Sequence, residues 1–257
     1  MDIDTIKILR DPYTFEDLTT KDNCIVNTYN RNTYGIEKNI VRFMEDDEIT
    51  GNNKKYLEFY NKIAPFYNFA NKLYFIFKFG SEENYRKEFL SELEIKDKDK
   101  VIEISVGTAD NFPFLPKNID LYGLDISLGM LKQAKKHLNK WNINAQLFQG
   151  AAESLPFKDG SFDVVYHVGG INYFNHKDKA INEMIRIAKS GTKIVIVDET
   201  EKLVNGTYKK TPITKKYYDE EYDISAPIEL IPKEMLDINY REVCKGLMYC
   251  LSFRKPY

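Results

Sequence analysis

From about residue 100 the chain alternates short apolar runs with amphipathic stretches. VIEISV (101–106) runs into Gly107 and DLYGLD (120–125) ends in an acid; both have the continuous apolar character of strands covered on two faces. Between Ser127 and Trp141 the apolar residues Leu128, Leu131, Ala134, Leu138 and Trp141 recur at spacings of three and four, with Ser127 placed to cap the first turn, which predicts an amphipathic helix. INAQLF (143–148) and FDVVYHV (162–168) read as strands, KDKAINEMIRIAK (177–189) as a helix stopped by Gly191, and TKIVIVDE (192–199) as a further strand. Such alternation predicts an α/β fold with a parallel sheet, helices on both faces and ligands beyond the carboxyl ends of the strands.

The flanks have a different rhythm. MLDINYREVC (235–244) and LMYCLSFRK (247–255), joined at Lys245-Gly246, read as an antiparallel hairpin closing one sheet edge. Residues 200–232 are polar, tyrosine-rich and weakly periodic, which suits a lid over a site. Residues 55–95 read as helical with a break at Pro65, and residues 1–50 as a small β appendage with turns at Asp11-Pro12 and Gly35. The expected division is therefore an appendage over 1–50 and a larger α/β domain over 51–257.

Composition narrows the function. A chain of 257 residues suits one main domain, and its formal charge of −2 gives no global field for nucleic acid or an anionic membrane. Cys24, Cys244 and Cys250 form no CxxC pair and no disulfide framework, which points to a reducing, cytoplasmic context. The opening MDIDTIKILRDPY lacks a signal-peptide pattern, and no apolar stretch approaches the roughly 20 residues of a membrane span.

The chemistry concentrates after the first strand. A nucleotide-binding α/β unit needs a tight turn there, so that backbone can approach the ligand, and an acid about 20 residues on to bond ribose hydroxyls. Asp125 lies 18 residues after Gly107 and ends its strand. The turn is Ser105-Val106-Gly107-Thr108-Ala109, a single glycine between small residues and preceded by Glu103, and it lacks the GxGxxG of a dinucleotide site.

This arrangement resembles the class I S-adenosylmethionine-dependent methyltransferases, whose fold is a Rossmann-like seven-stranded, mostly parallel sheet with a C-terminal antiparallel hairpin. The resemblance is carried by 101-VIEISVGTADNF-112, 124-LDISLGMLKQAKK-136, 150-GAAESLPFKDGSFDVV-165 and 183-EMIRIAKSGTKIVIVD-198 in order, and 59-FYNKIAPFYNFANKL-73 is similar to the N-terminal helix of the ubiquinone/menaquinone-type C-methyltransferases. It implies S-adenosylmethionine as cofactor. Ser105, Val106, Gly107 and Ala109 would pass under its methionine portion, with Glu103 organising the loop and reaching toward the cofactor ammonium directly or through water; Asp125 would hold the ribose, and Ile126, Met130, Ala151 and Ala152 the adenine. His167 and Val168 would face the methyl group, and Tyr67 would close over the cofactor. Ser105 and Ala109 depart from the family's glycines, and Ala151 from an adenine-bonding aspartate. ILRDPYTFEDL, together with the later run NTYNRNTYGIEKNIVRFM, resembles a short zinc ribbon without its cysteine pairs, so no metal is expected.

Methyl transfer from a sulfonium asks the protein to align the acceptor and exclude water, with a base only if the acceptor must lose a proton. His167 is the candidate base, or else a pocket wall; Tyr173 and His176 lie beyond it, where acceptor groups of the family sit, and His176 equally fits the surface. Asp198 would orient the acceptor or cap a turn, and His137 falls on the polar side of its helix, facing solvent. The expected acceptor is a small or medium-sized organic molecule. An RNA base methyltransferase is the alternative disfavoured by charge, and a non-catalytic cofactor-binding module is a third; the atom methylated and the oligomeric state stay open.

Overall fold

The computed structural model describes residues 3–44, 49–63, 81–210 and 224–257. The chain runs through α1 (Ile3–Ile8), β1 (Leu18–Lys21), β2 (Cys24–Asn27), β3 (Thr33–Glu37), β4 (Ile40–Arg42), α2 (Gly51–Ile63), α3 (Glu82–Leu90), β5 (Lys100–Ile104), β6 (Asp120–Asp125), α4 (Leu128–Trp141), β7 (Gln146–Gln149), β8 (Val164–Val168), α5 (Lys177–Ile187), β9 (Lys193–Glu199), α6 (Glu201–Gly206), β10 (Leu236–Val243) and β11 (Met248–Arg254).

Among the described residues the strands form one sheet in the order β1-β2-β3-β4-β7-β6-β5-β8-β9-β11-β10. The block from β7 to β10 is the seven-stranded unit that the apolar runs predict, with β7, β6, β5, β8 and β9 parallel and β11 and β10 antiparallel beside them. The expected total of seven is too low. Ile40, Val41 and Arg42 of β4 pair in parallel with Leu147, Phe148 and Gln149 of β7, so the N-terminal strands continue the sheet to eleven. β4 is only three residues long, and nothing in so short a run announces a parallel partner more than a hundred positions away.

Alternation along the strands builds two apolar layers. Ile102, Ile104, Tyr122, Leu124, Phe148 and Val165 pack into one, and Val101, Leu121, Leu147, Val164 and Tyr166 into the other. α4 buries Leu131, Ala134 and Leu138 against the second layer; truncating the fully buried Leu131 to Ala would cost about 2–5 kcal/mol. Its ends follow the sequence: the Ser127 Oγ accepts from the Met130 N–H at 3.1 Å, and Asn142 closes the helix with φ 55°.

The N-terminal strands surround a polar hub. The Asp11 carboxylate accepts from the Tyr13 N–H (2.9 Å), the Thr14 N–H (3.0 Å), the Asn27 Nδ2 (2.6 Å) and the Tyr34 hydroxyl (2.8 Å). Asn27 also gives a bond to Thr14 Oγ1 at 2.9 Å and accepts at Oδ1 from the Tyr29 and Asn30 amides, so two side-chain-capped turns are tied together. Burial works against the Asp11 charge, but the four donors outweigh it and hold the carboxyl below its usual range. This hub, and not apolar packing alone, holds the turns.

The expected break at Pro65 lies outside the described residues. Of the expected lid at 200–232, residues 201–206 are helical as α6 and residues 211–223 are not described. No helix of the described residues is long and apolar enough to cross a membrane.

Candidate functional site

Strand order reverses at β5, which lies between β6 and β8, so the loops leaving β5 and β8 diverge and open a crevice at their carboxyl ends. A cleft partly open to solvent lies there. Its walls come from the loop after β5 (Ser105, Gly107), the end of β6 and start of α4 (Asp125, Ile126, Met130), the turn after β7 (Gly150, Ala152, Glu153) and the end of β8 (Val168, Gly169, Gly170). Tyr173, Phe174 and Glu199 form the far side, and α2 covers it with Asn53, Tyr56 and Tyr60.

The loop after β5 is left-handed at alternate residues: Ser105 (φ 59°), Gly107 (φ 55°) and Ala109 (φ 61°). Glycine adopts this conformation freely, whereas Ser105 and Ala109 carry the strain of a Cβ there, of order 1 kcal/mol each. A Cβ on Gly107 would lie 3.7 Å from Met130 Cε, inside the cleft. Val106 points the other way: it is buried against Gly123, where a Cβ would come within 2.9 Å of its methyls. Val106 and the fully buried Ala109 therefore shape the loop from behind without lining the cleft.

Asp125 ties the loop to the next helix. One carboxylate oxygen accepts from the Gly107 N–H and the other from the Ser127 N–H, both at 2.8 Å. Burial pushes its carboxyl up to about 6, against the pull of those amides. The Ile126 amide is a third backbone donor to this carboxylate, which leaves acceptor capacity for one ligand hydroxyl.

Glu103 lies beneath the loop and does not line the cleft. It is 1% exposed, and it accepts from the Tyr166 hydroxyl at 2.8 Å and from Asn111 Nδ2; Asn111 in turn accepts from Arg86 of α3. Desolvation pushes the Glu103 carboxyl up to about 8. The placement fits the organising role expected for it, but not the expected reach to a cofactor ammonium.

His167 and His137 depart from expectation, while His176 takes its surface alternative. His167 is fully buried, with Nδ1 at 3.1 Å from the Ile104 carbonyl and Nε2 accepting from the Ile171 N–H at 3.1 Å. The amide requires a lone pair at Nε2, so the proton sits on Nδ1 and donates to the carbonyl. Both nitrogens are used, burial lowers the pKa, and the ring is no base: it pins the end of β5 to the turn after β8. His176 is exposed ahead of α5 and away from the cleft. His137 is not solvent-facing; its Nδ1 lies 3.1 Å from the Thr108 carbonyl and its ring 5.1 Å from Trp141. Asp198 accepts from the Gly170, Asn172 and Glu199 amides, so it caps the turn and does not orient an acceptor.

Of the other expected site residues, Ser105, Gly107, Asp125, Ile126, Met130, Ala152, Val168 and Tyr173 line the cleft, Ala151 does not, and Tyr67 lies outside the described residues. Asn53, Tyr56, Tyr60, Glu153, Phe174 and Glu199 also line it and are not anticipated. The spacing of Asn53, Tyr56 and Tyr60 at three and four is the legible signal, a single helical stripe. α2 is fixed over the cleft at both ends. Asn175 Oδ1 accepts from the Asn52 N–H at 2.8 Å while its Nδ2 donates to the Thr50 carbonyl, and Asn61 Oδ1 accepts from the Ser127 hydroxyl (2.6 Å) and the Gly129 N–H (3.0 Å).

The chain is 29% identical over 140 residues to a demethylmenaquinone methyltransferase of Renibacterium salmoninarum, covering 54% of this chain and 56% of that one. It is 31% identical over 153 residues to a demethylmenaquinone methyltransferase of Desulfitobacterium hafniense, covering 57% and 59%. The chain thus spans under two thirds of the length of these relatives. An S-adenosylmethionine-dependent methyltransferase structure from Thermotoga maritima superposes with a TM-score of 0.55 at 19% identity, over 75% of this chain and 97% of that one. Residues 88–196 match the family model described as a methyltransferase domain, and the fold resembles that of the Thermotoga maritima structure.

Proposed function

We propose that the chain transfers a methyl group from S-adenosylmethionine to a small organic acceptor, as a relative of the ubiquinone/menaquinone-type C-methyltransferases. The observation that carries this reading is Asp125, an acid ending β6 whose carboxylate is locked to the Gly107 turn across a cleft at the sheet's switch point. The cofactor fits the residues present: Gly107 leaves free the space beside Met130 that a Cβ would enter, and Asp125, with three backbone amides on its carboxylate, keeps acceptor capacity for a ribose hydroxyl. Ser105 and Gly107 would hold the methionine portion, and Ile126, Met130 and Ala152 the adenine.

When bound, S-adenosylmethionine supplies an electrophilic methyl on a positive sulfur. The protein's part is alignment and exclusion of water. Tyr56 and Tyr60 roof the cleft from α2, and Tyr173, 3% exposed, stacks on Tyr56 with ring centroids 4.5 Å apart. His167 supports the floor by fixing the turn that carries Gly170 and Tyr173, which removes it from proton transfer. Tyr173 is the residue retained from the expected catalytic set, as part of the acceptor wall.

Residues 1–50 read as a degenerate ribbon in which Asp11 and Asn27 join the turns that a metal would join, with 51–257 carrying the chemistry. Among the described residues no group of three or more His, Cys, Asp or Glu is placed to hold a metal. Calorimetry of the full chain with S-adenosylmethionine and S-adenosylhomocysteine tests the reading. Heats of binding and a rise in melting temperature are expected; neither appearing would sink it.

A further inference from the structure

The side of the cleft away from Asp125 has a defined chemical character. Four aromatic rings line it, Tyr56 and Tyr60 from α2 and Tyr173 and Phe174 from the turn after β8, and the carboxylate of Glu199 closes it from the end of β9. Glu199 is 8% exposed and its backbone is fixed on both sides, by Asp198 accepting from its N–H at 2.8 Å and by Asn172 Nδ2 donating to its carbonyl at 3.0 Å. Glu153, held by Asn53 Nδ2 at 2.9 Å, adds a second carboxylate on the cleft wall. Aromatic rings and carboxylates, here the buried Glu199 and the half-buried Glu153, both attract a cation in a partly desolvated cleft. The Tyr173 hydroxyl feels this field: burial first, then the Glu199 and Asp198 charges, raise its pKa above the ordinary phenol value.

We infer that the acceptor is an organic cation, a small molecule carrying a protonated or quaternary amine that sits among Tyr56, Tyr60, Tyr173 and Phe174 with Glu199 as its counter-charge. This rests on the methyl-transfer reading above and narrows its substrate class. The wall works against an anionic acceptor, because a developing phenolate would face Glu199. The chain's chemistry would then diverge from that of the quinone-named relatives at the acceptor side alone, while the Asp125 side stays shared.

The test uses the full chain with S-adenosylhomocysteine present, titrated calorimetrically at pH 7 with three probes of one shape: 2-phenylethylamine, 2-phenylethanol and phenylacetate. The amine is expected to bind at least about ten-fold tighter than the alcohol, with phenylacetate weakest. Glu199→Gln should bring the amine to within about two-fold of the alcohol while leaving the alcohol and S-adenosylhomocysteine affinities in place. Equal or tighter binding of the alcohol or phenylacetate, an equal loss of all probes in Glu199→Gln, or no binding of the amine to the native chain overturns the inference. S-adenosylhomocysteine is titrated first, so failure of the methyl-transfer reading shows as loss of that heat and is distinct from failure of the amine preference.

Discussion

Ser127 and Asn61 join two helices that sequence places 66 residues apart: the serine hydroxyl that caps α4 donates to the Asn61 side-chain oxygen at 2.6 Å, and the Gly129 amide donates to the same oxygen. One asparagine thereby anchors α2 to the start of α4. Asn61→Ala should destabilise the fold by about 1–2 kcal/mol, the worth of two such bonds, and weaken S-adenosylhomocysteine binding. Gly129→Ala attacks the same contact from the other side, since its Cβ would lie 2.6 Å from Asn61 Oδ1. Denaturant midpoints of the single and double variants should show strong non-additivity; independent, additive costs would mean that the contact is incidental.

Asp125→Asn should be nearly as damaging as Asp125→Ala. Each carboxylate oxygen accepts a backbone N–H, so an amide nitrogen in place of either oxygen sets donor against donor. A loss of about 1–3 kcal/mol in S-adenosylhomocysteine affinity is expected for both, read by calorimetry. Unchanged affinity would place the ribose elsewhere.

The left-handed loop separates two glycine substitutions. Ser105→Gly relieves a strained φ at a half-buried position and should raise stability by about 0.5–1 kcal/mol, after the glycine's unfolded-state entropy is counted. Ala109→Gly relieves the same strain but removes a fully buried methyl worth about 0.8 kcal/mol, so its net effect should be near zero. Thermal melts of the two variants decide this.

Glu103 makes stability depend on pH in the opposite sense to an ordinary surface acid. Its folded pKa of about 8 lies above the unfolded value of roughly 4.3, so between these the folded state holds more protons and stability falls as pH rises. Glu103→Gln, which cannot ionise, should flatten that decline and gain on the wild type most above pH 8. Midpoints measured from pH 5 to 9 that fall equally in both proteins would contradict it.

Asp11 has the reverse sign. Its folded pKa is lowered, so its contribution is present above the unfolded value of about 3.9 and is lost as pH falls through the folded value. Asp11→Ala should cost about 2–4 kcal/mol at pH 7, because it strands the buried Asn27 amide and Tyr34 hydroxyl. The penalty should shrink in strong acid, and chelators should change neither protein.

The parallel part of the sheet is legible because β5, β6, β8 and β9 are short, mostly apolar runs, and β6 ends in an acid. Asp125 is found that way. His167 misleads for the same reason: it ends a strand at the site, yet its neighbour Val168 lines the cleft while the imidazole faces Ile104 and Ile171. Glu153 and Glu199 gain meaning only when the turn after β7 and the end of β9 are seen to line one cleft. α2 shows its stripe in the sequence, but what it covers is decided by Asn61 and Asn175, whose partners lie on distant loops.

The parallel pairing of β4 with β7 also orders events in time. Residues 40–42 leave the ribosome more than a hundred residues ahead of the strand at 147–149 that they pair with. At ordinary synthesis rates this is a wait on the order of ten seconds. The hub around Asp11 and Asn27 draws all its bonds from residues 11–34, so it can close during that interval and keep the first strands from pairing with the wrong edge. Weakening the hub should therefore lower the yield of correctly folded chains in the cell by more than its cost to the finished fold.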